Sequence, residues 1–400
     1  MIKDFINILS LILIFTACNQ PTATQTESPI STATEIDIDK NAIIATADKY
    51  LQQAPVPLTN FVAERSAGGI HDFYSEGDYW WPNPEDPDGS YIRKDGQTNP
   101  DNFTEHRRAM RNLNQWVSGL VAAYEVTNDK KYALHAIKHL HAFFLNPATL
   151  MNPNLLYAQA IKGKVTGRGI GIIDTIHLIE IVKAIQRLRA AGLLENNDFT
   201  ALKQWFNDYA TWMNTHEYGL KEKVHGNNHS TWWAAQLAAF AELAEREDLL
   251  EVARSQFKKL LPVQMADDGS FIDEMKRTKP YIYELFHLEG YSVLAEIAST
   301  PTDDLWNYET DGKSLRKGWD FMLPYIKDKS TWIKPPDVQN FDEVPLQTPG
   351  LLFAAQAYTD NEMLNIWRNL PAERKSEEIN RNFPIREPVL WTKDELKMGN

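Results

Sequence analysis

The stretch His225-Gly-Asn-Asn-His229-Ser230 sets amides and imidazoles just ahead of an apolar run that begins near Thr231, with Ser230 spaced to cap a helix. A helix N-terminus offers unpaired N–H groups and the positive end of the dipole, so Asn228 and His229 there could grip a carboxylate, with Asn227 as a binding neighbour. The plainer alternative is a turn formed by Asn227 and Asn228, with His229 packed on Trp232 or Trp233. Further on, Glu274-Met-Lys-Arg277-Thr-Lys-Pro280-Tyr281-Ile-Tyr283 gathers a guanidinium and two phenols around a proline. Glu274 is spaced to pair with Arg277 across one helical turn and to hold its fork toward a carboxylate, while Pro280 opens a new helix. The competing reading is a surface ion pair followed by two core tyrosines.

Helices must position these groups. Apolar residues recur with helical period over 103–124, 131–144, 173–191, 199–214, 230–244, 249–261, 283–298 and 314–326. Short joints of Gly, Asn, Asp or Pro separate them, and strand-like alternation is rare. The fold class expected is therefore all-α, with antiparallel helix pairs rather than a parallel sheet. Two irregular stretches interrupt the pattern. Residues 68–100 hold many Gly, Pro and Asp together with Tyr79, Trp80, Trp81 and Tyr91, which reads as an ordered loop beside a groove, with Trp80 and Trp81 as faces for sugar rings. Residues 153–171 carry Lys162, Lys164 and Arg168 among glycines, which supplies cations, Arg168 foremost, on a backbone able to approach a ligand.

Composition limits the partners. Against 41 Lys and Arg stand 54 Asp and Glu, a net charge of -13, which argues against nucleic acid and requires any polyanionic ligand to meet a local basic cluster. His135, His139 and His141 lie close in sequence, but only His135 and His139 would share a helix face, so no metal site and no cofactor are expected. No nucleophile elbow, phosphate loop or dinucleotide fingerprint is present. At the N-terminus, Lys3 and an apolar run lead through Thr16-Ala17 to Cys18, the single cysteine of the chain. Residues 1–18 read as a lipoprotein export signal with Cys18 lipidated, 19–38 as a Thr, Ser and Pro-rich tether, and 39–400 as the catalytic domain. The expected location is the periplasm, on an outer membrane touched only through the lipid, with the cell surface as the other face; a monomer is expected.

Five pieces of sequence resemble the alginate lyase superfamily of helical toroid lyases: Asp78-Tyr-Trp-Trp-Pro-Asn-Pro84, Asp95-Gly-Gln-Thr-Asn-Pro100, Arg168-Gly-Ile-Gly-Ile-Ile-Asp-Thr175, Asn227-Asn-His-Ser230 and Arg277-Thr-Lys-Pro-Tyr-Ile-Tyr283. The first makes polysaccharide lyase family 38 a nearer likeness than family 5. The resemblance implies an (α/α) toroid, complete or partial, acting on an acidic polysaccharide. It also implies that Asn228, His229, Arg277 and Tyr283 form the catalytic set; Tyr281, two residues before Tyr283, is the other match for the tyrosine and a candidate binding residue. The residue types suit β-elimination of a 4-linked uronate such as alginate or glucuronan. Neutralising the carboxylate acidifies the C5 proton, and a tyrosine with a pKa lowered by positive charge could take that proton and return it to the leaving oxygen. Two alternatives stay open: a toroidal glycoside hydrolase using carboxylates such as Asp174 and Glu274, and a glycan-binding lipoprotein without turnover.

Overall fold

The computed structural model describes residues 39–391; Cys18, the signal and the tether lie outside the described residues. The first helix, α1 (Lys40–Tyr50), begins where Asp39 caps the Ala42 N–H at 3.0 Å. Short strands β1 (Tyr74–Glu76), β2 (Trp80–Trp81) and β3 (Ile92–Arg93) then occupy the irregular stretch, with β2 and β3 an antiparallel hairpin. Helices α2 (Glu105–Thr127) and α3 (Lys130–Leu140) turn back on each other at Asn128, whose positive φ of 57° ends α2 in a left-handed cap. Strand β4 (Tyr157–Ala160) pairs in parallel with β1.

The remaining helices are α4 (Leu178–Ala190), α5 (Asn196–Thr215), α6 (Glu217–Lys223), α7 (Asn228–Ala244), α8 (Glu247–Gln264) and α9 (Pro280–Ala298). A small hairpin of β5 (Glu309–Thr310) and β6 (Lys313–Ser314) precedes α10 (Leu315–Lys327), α11 (Pro349–Ala357), α12 (Asn361–Asn369) and α13 (Glu377–Asn382).

The helices form two layers. α2, α4, α7, α9 and α11 follow one another side by side, and α3, α5, α8, α10 and α12 pack against them; the pairs α2–α3, α4–α5, α7–α8 and α11–α12 are joined by only a few residues, which makes them antiparallel. This is the (α/α) toroid expected from the sequence. The inner helices are apolar on nearly every side: α7 buries Trp232, Trp233, Leu237 and Phe240, and α9 buries Tyr281, Ile282, Leu288 and Tyr291. The segment after α12 crosses the inner ring. Its backbone is tied down by Asn114 Nδ2 donating to Pro384 O at 2.7 Å, and by Glu180 Oε1 accepting from the Arg386 and Glu387 N–H groups at 2.8 and 2.7 Å.

All eight helical windows are helices, with ends shifted by a few residues. Window 173–191 begins instead as a 3₁₀ segment, Gly169–Thr175, before α4. Ser230 is not the cap of α7. Asn227 caps it, accepting from His229 N at 3.1 Å, while Ser230 Oγ accepts from Gly226 N and donates to Glu222 O. Helices α1, α6, α11, α12 and α13 have no counterpart among the windows, none being longer than eleven residues.

Candidate active site

Adjacent inner helices α7 and α9 bring their N-termini to one cavity of about 280 Å³. The positive ends of two helix dipoles thus share a wall with the loop 77–80, the end of β3, the segment after β4, and α13. Arg93, Arg168, Arg277 and Arg381 line it against only Asp78 and Asp174. This is the local cationic cluster that a chain of net charge -13 needs in order to hold a polyanion.

On the α7 side, His229 Nδ1 meets Glu222 Oε1 of α6 at 2.7 Å, and Glu222 is 1% exposed. The buried carboxylate fixes the ring and leaves Nε2 to the cavity. Asn228 is buried behind it, its backbone N–H and its Nδ2 donating to the same oxygen of Glu274 at 2.9 and 2.7 Å. The Asn227 side chain caps the helix and also contacts His225 Nδ1 at 2.9 Å. His229 stacks at an angle on His225, with ring centroids 5.0 Å apart, rather than on Trp232 or Trp233, whose indole N–H groups bond to Phe286 O and Met213 O.

On the α9 side, Arg277 Nη2 donates to Tyr283 Oη at 3.0 Å, and the guanidinium carbon stands 4.0 Å from the centre of the Tyr283 ring. Arg277 does not pair with Glu274. Asp95, in the turn after β3, holds it through Oδ1 at 3.1 Å and Oδ2 at 3.3 Å, while Glu274 is taken by Asn228. The Tyr79 hydroxyl, from the loop before β2, lies 2.8 Å from Tyr283 Oη. Tyr283 therefore has a cation and a second phenol on its oxygen. Its pKa is nonetheless raised, not lowered as the sequence suggested: burial outweighs the opposing pull of Arg277 and the Tyr79 hydrogen bond. At neutral pH Tyr283 is therefore a neutral phenol.

The loop carrying Tyr79 is anchored by charge. Asp78 bonds Arg107 Nη1 at 2.5 Å and also pairs with Arg381 of α13. Arg107 Nε continues to Asp174 Oδ2 at 3.0 Å. Burial raises the Asp78 carboxyl, but Arg107, Arg381 and Arg111 overcome it and hold it below the ordinary carboxylate range. Arg168 bonds Gln159 O and Oε1 at 2.9 and 3.1 Å and faces the Trp80 ring at 5.9 Å; burial pushes its pKa down to about 10. At the rim, Lys164 sits over Trp80, Lys94 over Trp81 and Lys162 over Tyr91.

Seven of the nine sequence candidates, Asn227, Asn228, His229, Arg277, Tyr283, Trp80 and Arg168, line this cavity. Two do not. Tyr281 is wholly buried between Trp332 and Phe341, with its hydroxyl on Tyr325 O at 3.0 Å, because it falls on the core face of α9. Trp81, on the opposite face of its strand from Trp80, lies outside the lining and donates its indole N–H to Gln97 O at 2.9 Å. Glu222, Asp95 and Arg381 are not among the site residues expected from the sequence, although Asp95 opens one of the resembling pieces. Glu222 sits seven residues before His229 on a polar seven-residue helix that shows no apolar period. Asp174, a hydrolase candidate, is engaged by Arg107 and by Ser75 Oγ at 2.5 Å. Among the described residues no group of three or more His, Cys, Asp or Glu is placed to hold a metal ion.

The sequence profile of the alginate lyase family matches residues 58–332. No curated protein matches the chain. Among solved structures, an alginate lyase from Bacteroides ovatus is similar at 29% identity and a TM-score of 0.77, covering 88% of this chain and 92% of that one. Alginate lyase A1-III from Sphingomonas species A1 is similar at 14% identity and a TM-score of 0.53, covering 92% of this chain and 100% of that one. A histidine-to-alanine variant of A1-III complexed with tetrasaccharide is similar at 13% identity and a TM-score of 0.56 over the same shares, 92% and 100%. These last two likenesses speak to the fold. The family profile spans well over half of the chain and contains the Asn228, His229, Arg277 and Tyr283 positions, so the chain belongs to the alginate lyase family and is a polysaccharide lyase.

Proposed function

We propose that this protein cleaves 4-linked uronate polymers, polymannuronate of alginate or glucuronan, by β-elimination in the cavity between α7 and α9. The observation that carries the reading is the contact of Arg277 and Tyr79 with the Tyr283 oxygen in the cavity that also holds His229 and Asn228. Asn228 and Arg277 hold the uronate carboxyl and stabilise the charge that develops when the C5 proton leaves. For mannuronate and glucuronate, whose C5 proton and C4 oxygen lie on the same side, Tyr283 takes the proton and returns it to the leaving oxygen. For the opposite configuration, His229 is the base and Tyr283 the acid. Because Tyr283 rests as a neutral phenol, its work as a base needs the phenolate, which Arg277 and Tyr79 stabilise. Trp80 and Arg168 receive the neighbouring sugar.

A hydrolase needs a free carboxylic acid facing a second carboxylate, and both carboxylates of the lining, Asp78 and Asp174, are consumed by arginines. Export, with lipid attachment at Cys18 holding a monomeric domain at the outer membrane in the periplasm, belongs to the same proposal and rests on the sequence alone. Purified 39–400 incubated with polymannuronate, polyguluronate and glucuronan tests the reaction. Ultraviolet absorbance of a conjugated unsaturated uronate must rise with at least one polymer; new reducing ends without that absorbance would mean hydrolysis, and binding without turnover would mean a capture protein.

A further inference from the structure

Glu274 has no part in the elimination as described, yet it sits directly behind the site. It is 1% exposed, and one of its oxygens, Oε1, takes both the backbone N–H and the side-chain Nδ2 of Asn228. The other, Oε2, is buried without a hydrogen-bond partner. His287 Nδ1 lies 3.3 Å from Oε1, at ion-pair range rather than in an aligned hydrogen bond. His287 is itself held in place by Thr231 Oγ1 at 2.8 Å from its Nε2 and by the stacked ring of Phe271. Burial raises the Glu274 carboxyl, but His287 and the two Asn228 donors outweigh it and hold it below its ordinary value, so the group is charged.

A side-chain amide has two nearly isosteric ends, and its orientation is decided by what surrounds it. Here a buried carboxylate decides it. With the carbonyl of Asn228 turned inward, lone pairs would face lone pairs at a contact now 2.7 Å long. With nitrogen inward, one N–H is spent on Glu274, and the other N–H and the carbonyl oxygen remain for whatever enters the cavity. Among the described residues Asn228 Oδ1 meets no donor, and Asn228 lines the cavity.

We propose that Glu274 is a positioning residue of the lyase reaction, locking the Asn228 amide in the single orientation that meets the substrate carboxyl. The inference rests on the lyase reading above. It assigns the buried charge a role in reaction rather than in stability, since a buried carboxylate with one oxygen unpartnered is a poor stabiliser.

Glu274→Gln is the direct test, because glutamine fills the same space but replaces the charged acceptor of the Asn228 amide with a neutral and weaker one. With polymer as substrate, kcat falls about tenfold or more while KM changes by less than about threefold, and the circular dichroism of the fold is retained. In an Asn228→Ala background the same change lowers kcat by less than about twofold, because a residue acting through Asn228 has nothing left to act on. Glu274→Asp, which keeps the charge, retains more activity than the glutamine variant; this comparison stands even if Glu274→Gln folds poorly. Unchanged kcat in Glu274→Gln, effects that multiply with Asn228→Ala, or an aspartate variant no better than glutamine would each overturn the assignment. A wild-type protein that forms no unsaturated product from any uronate polymer would overturn the lyase reading itself, and this inference with it.

Discussion

Arg277→Lys keeps the charge and removes the fork. In the native site the guanidinium holds three partners at once: both oxygens of Asp95, the Tyr283 hydroxyl at 3.0 Å, and the Tyr283 ring at 4.0 Å. A lysine ammonium is a point donor on a flexible stem and cannot hold Asp95 and Tyr283 together. What is lost on the reaction side is one charge-assisted hydrogen bond to the oxygen that must carry negative charge, about 1.5–3 kcal/mol. If that contact is made in the transition state, kcat falls roughly 10–150-fold. On the stability side, Asp95 is 27% exposed, so its pairing contributes at most about 1 kcal/mol and the fold persists. KM should rise only modestly, because a positive charge still faces the substrate carboxyl. The assay is the initial rate of ultraviolet absorbance increase across a polymer concentration series, with thermal melting alongside. A kcat within about threefold of wild type, with the fold intact, would refute the claim that the fork acts on Tyr283.

Tyr79→Phe removes the hydroxyl 2.8 Å from Tyr283 and so drives the Tyr283 pKa further up. At neutral pH, turnover of polymannuronate falls about tenfold, and the rise of rate with pH, which follows the phenolate share below the pKa, continues to a higher pH before levelling than in the wild type. A rate that levels at the wild-type pH would show that Tyr79 acts in another way. Glu222→Gln weakens the hold on His229 and lowers kcat on the same polymers that His229→Ala affects; full activity on a polymer for which His229→Ala is inactive would show that the pair has no role. Tyr281→Phe loses a core hydrogen bond to Tyr325 O, which lowers stability by about 1 kcal/mol in urea unfolding and leaves kcat and KM within about twofold; a large rise in KM would restore it as a binding residue.

The apolar period of long inner helices was plain in the sequence because burial on nearly all sides leaves a dense run such as Trp232 to Phe240. The N-terminal ends of α7 and α9 could be read as sites for the same reason, since polar groups abruptly replace the apolar run there. Partners across space could not be read. Glu274 is three residues from Arg277, yet the chain turns between them into a 3₁₀ segment that aims the carboxylate at Asn228, while Asp95 arrives from a distant hairpin to take Arg277. Glu222 and Arg381 ride on seven- and six-residue helices, too short to show a period. Tyr281 and Tyr283 look alike as letters, and only the placement of α9 decides that the first is core and the second faces the cavity. The Tyr283 acidity is not legible, because sequence shows the neighbouring cation but not the burial that outweighs it.

In the reaction proposed, the Tyr283 oxygen moves the proton. Tyr283→Phe deletes that oxygen and keeps the ring, and the measurement is the rate of unsaturated uronate formation from the polymer the wild type prefers. A folded variant whose kcat is lower by about two orders of magnitude or more, at little-changed KM, is the outcome expected for loss of a general acid or base. A folded variant turning over near the wild-type rate would show that another group moves the proton.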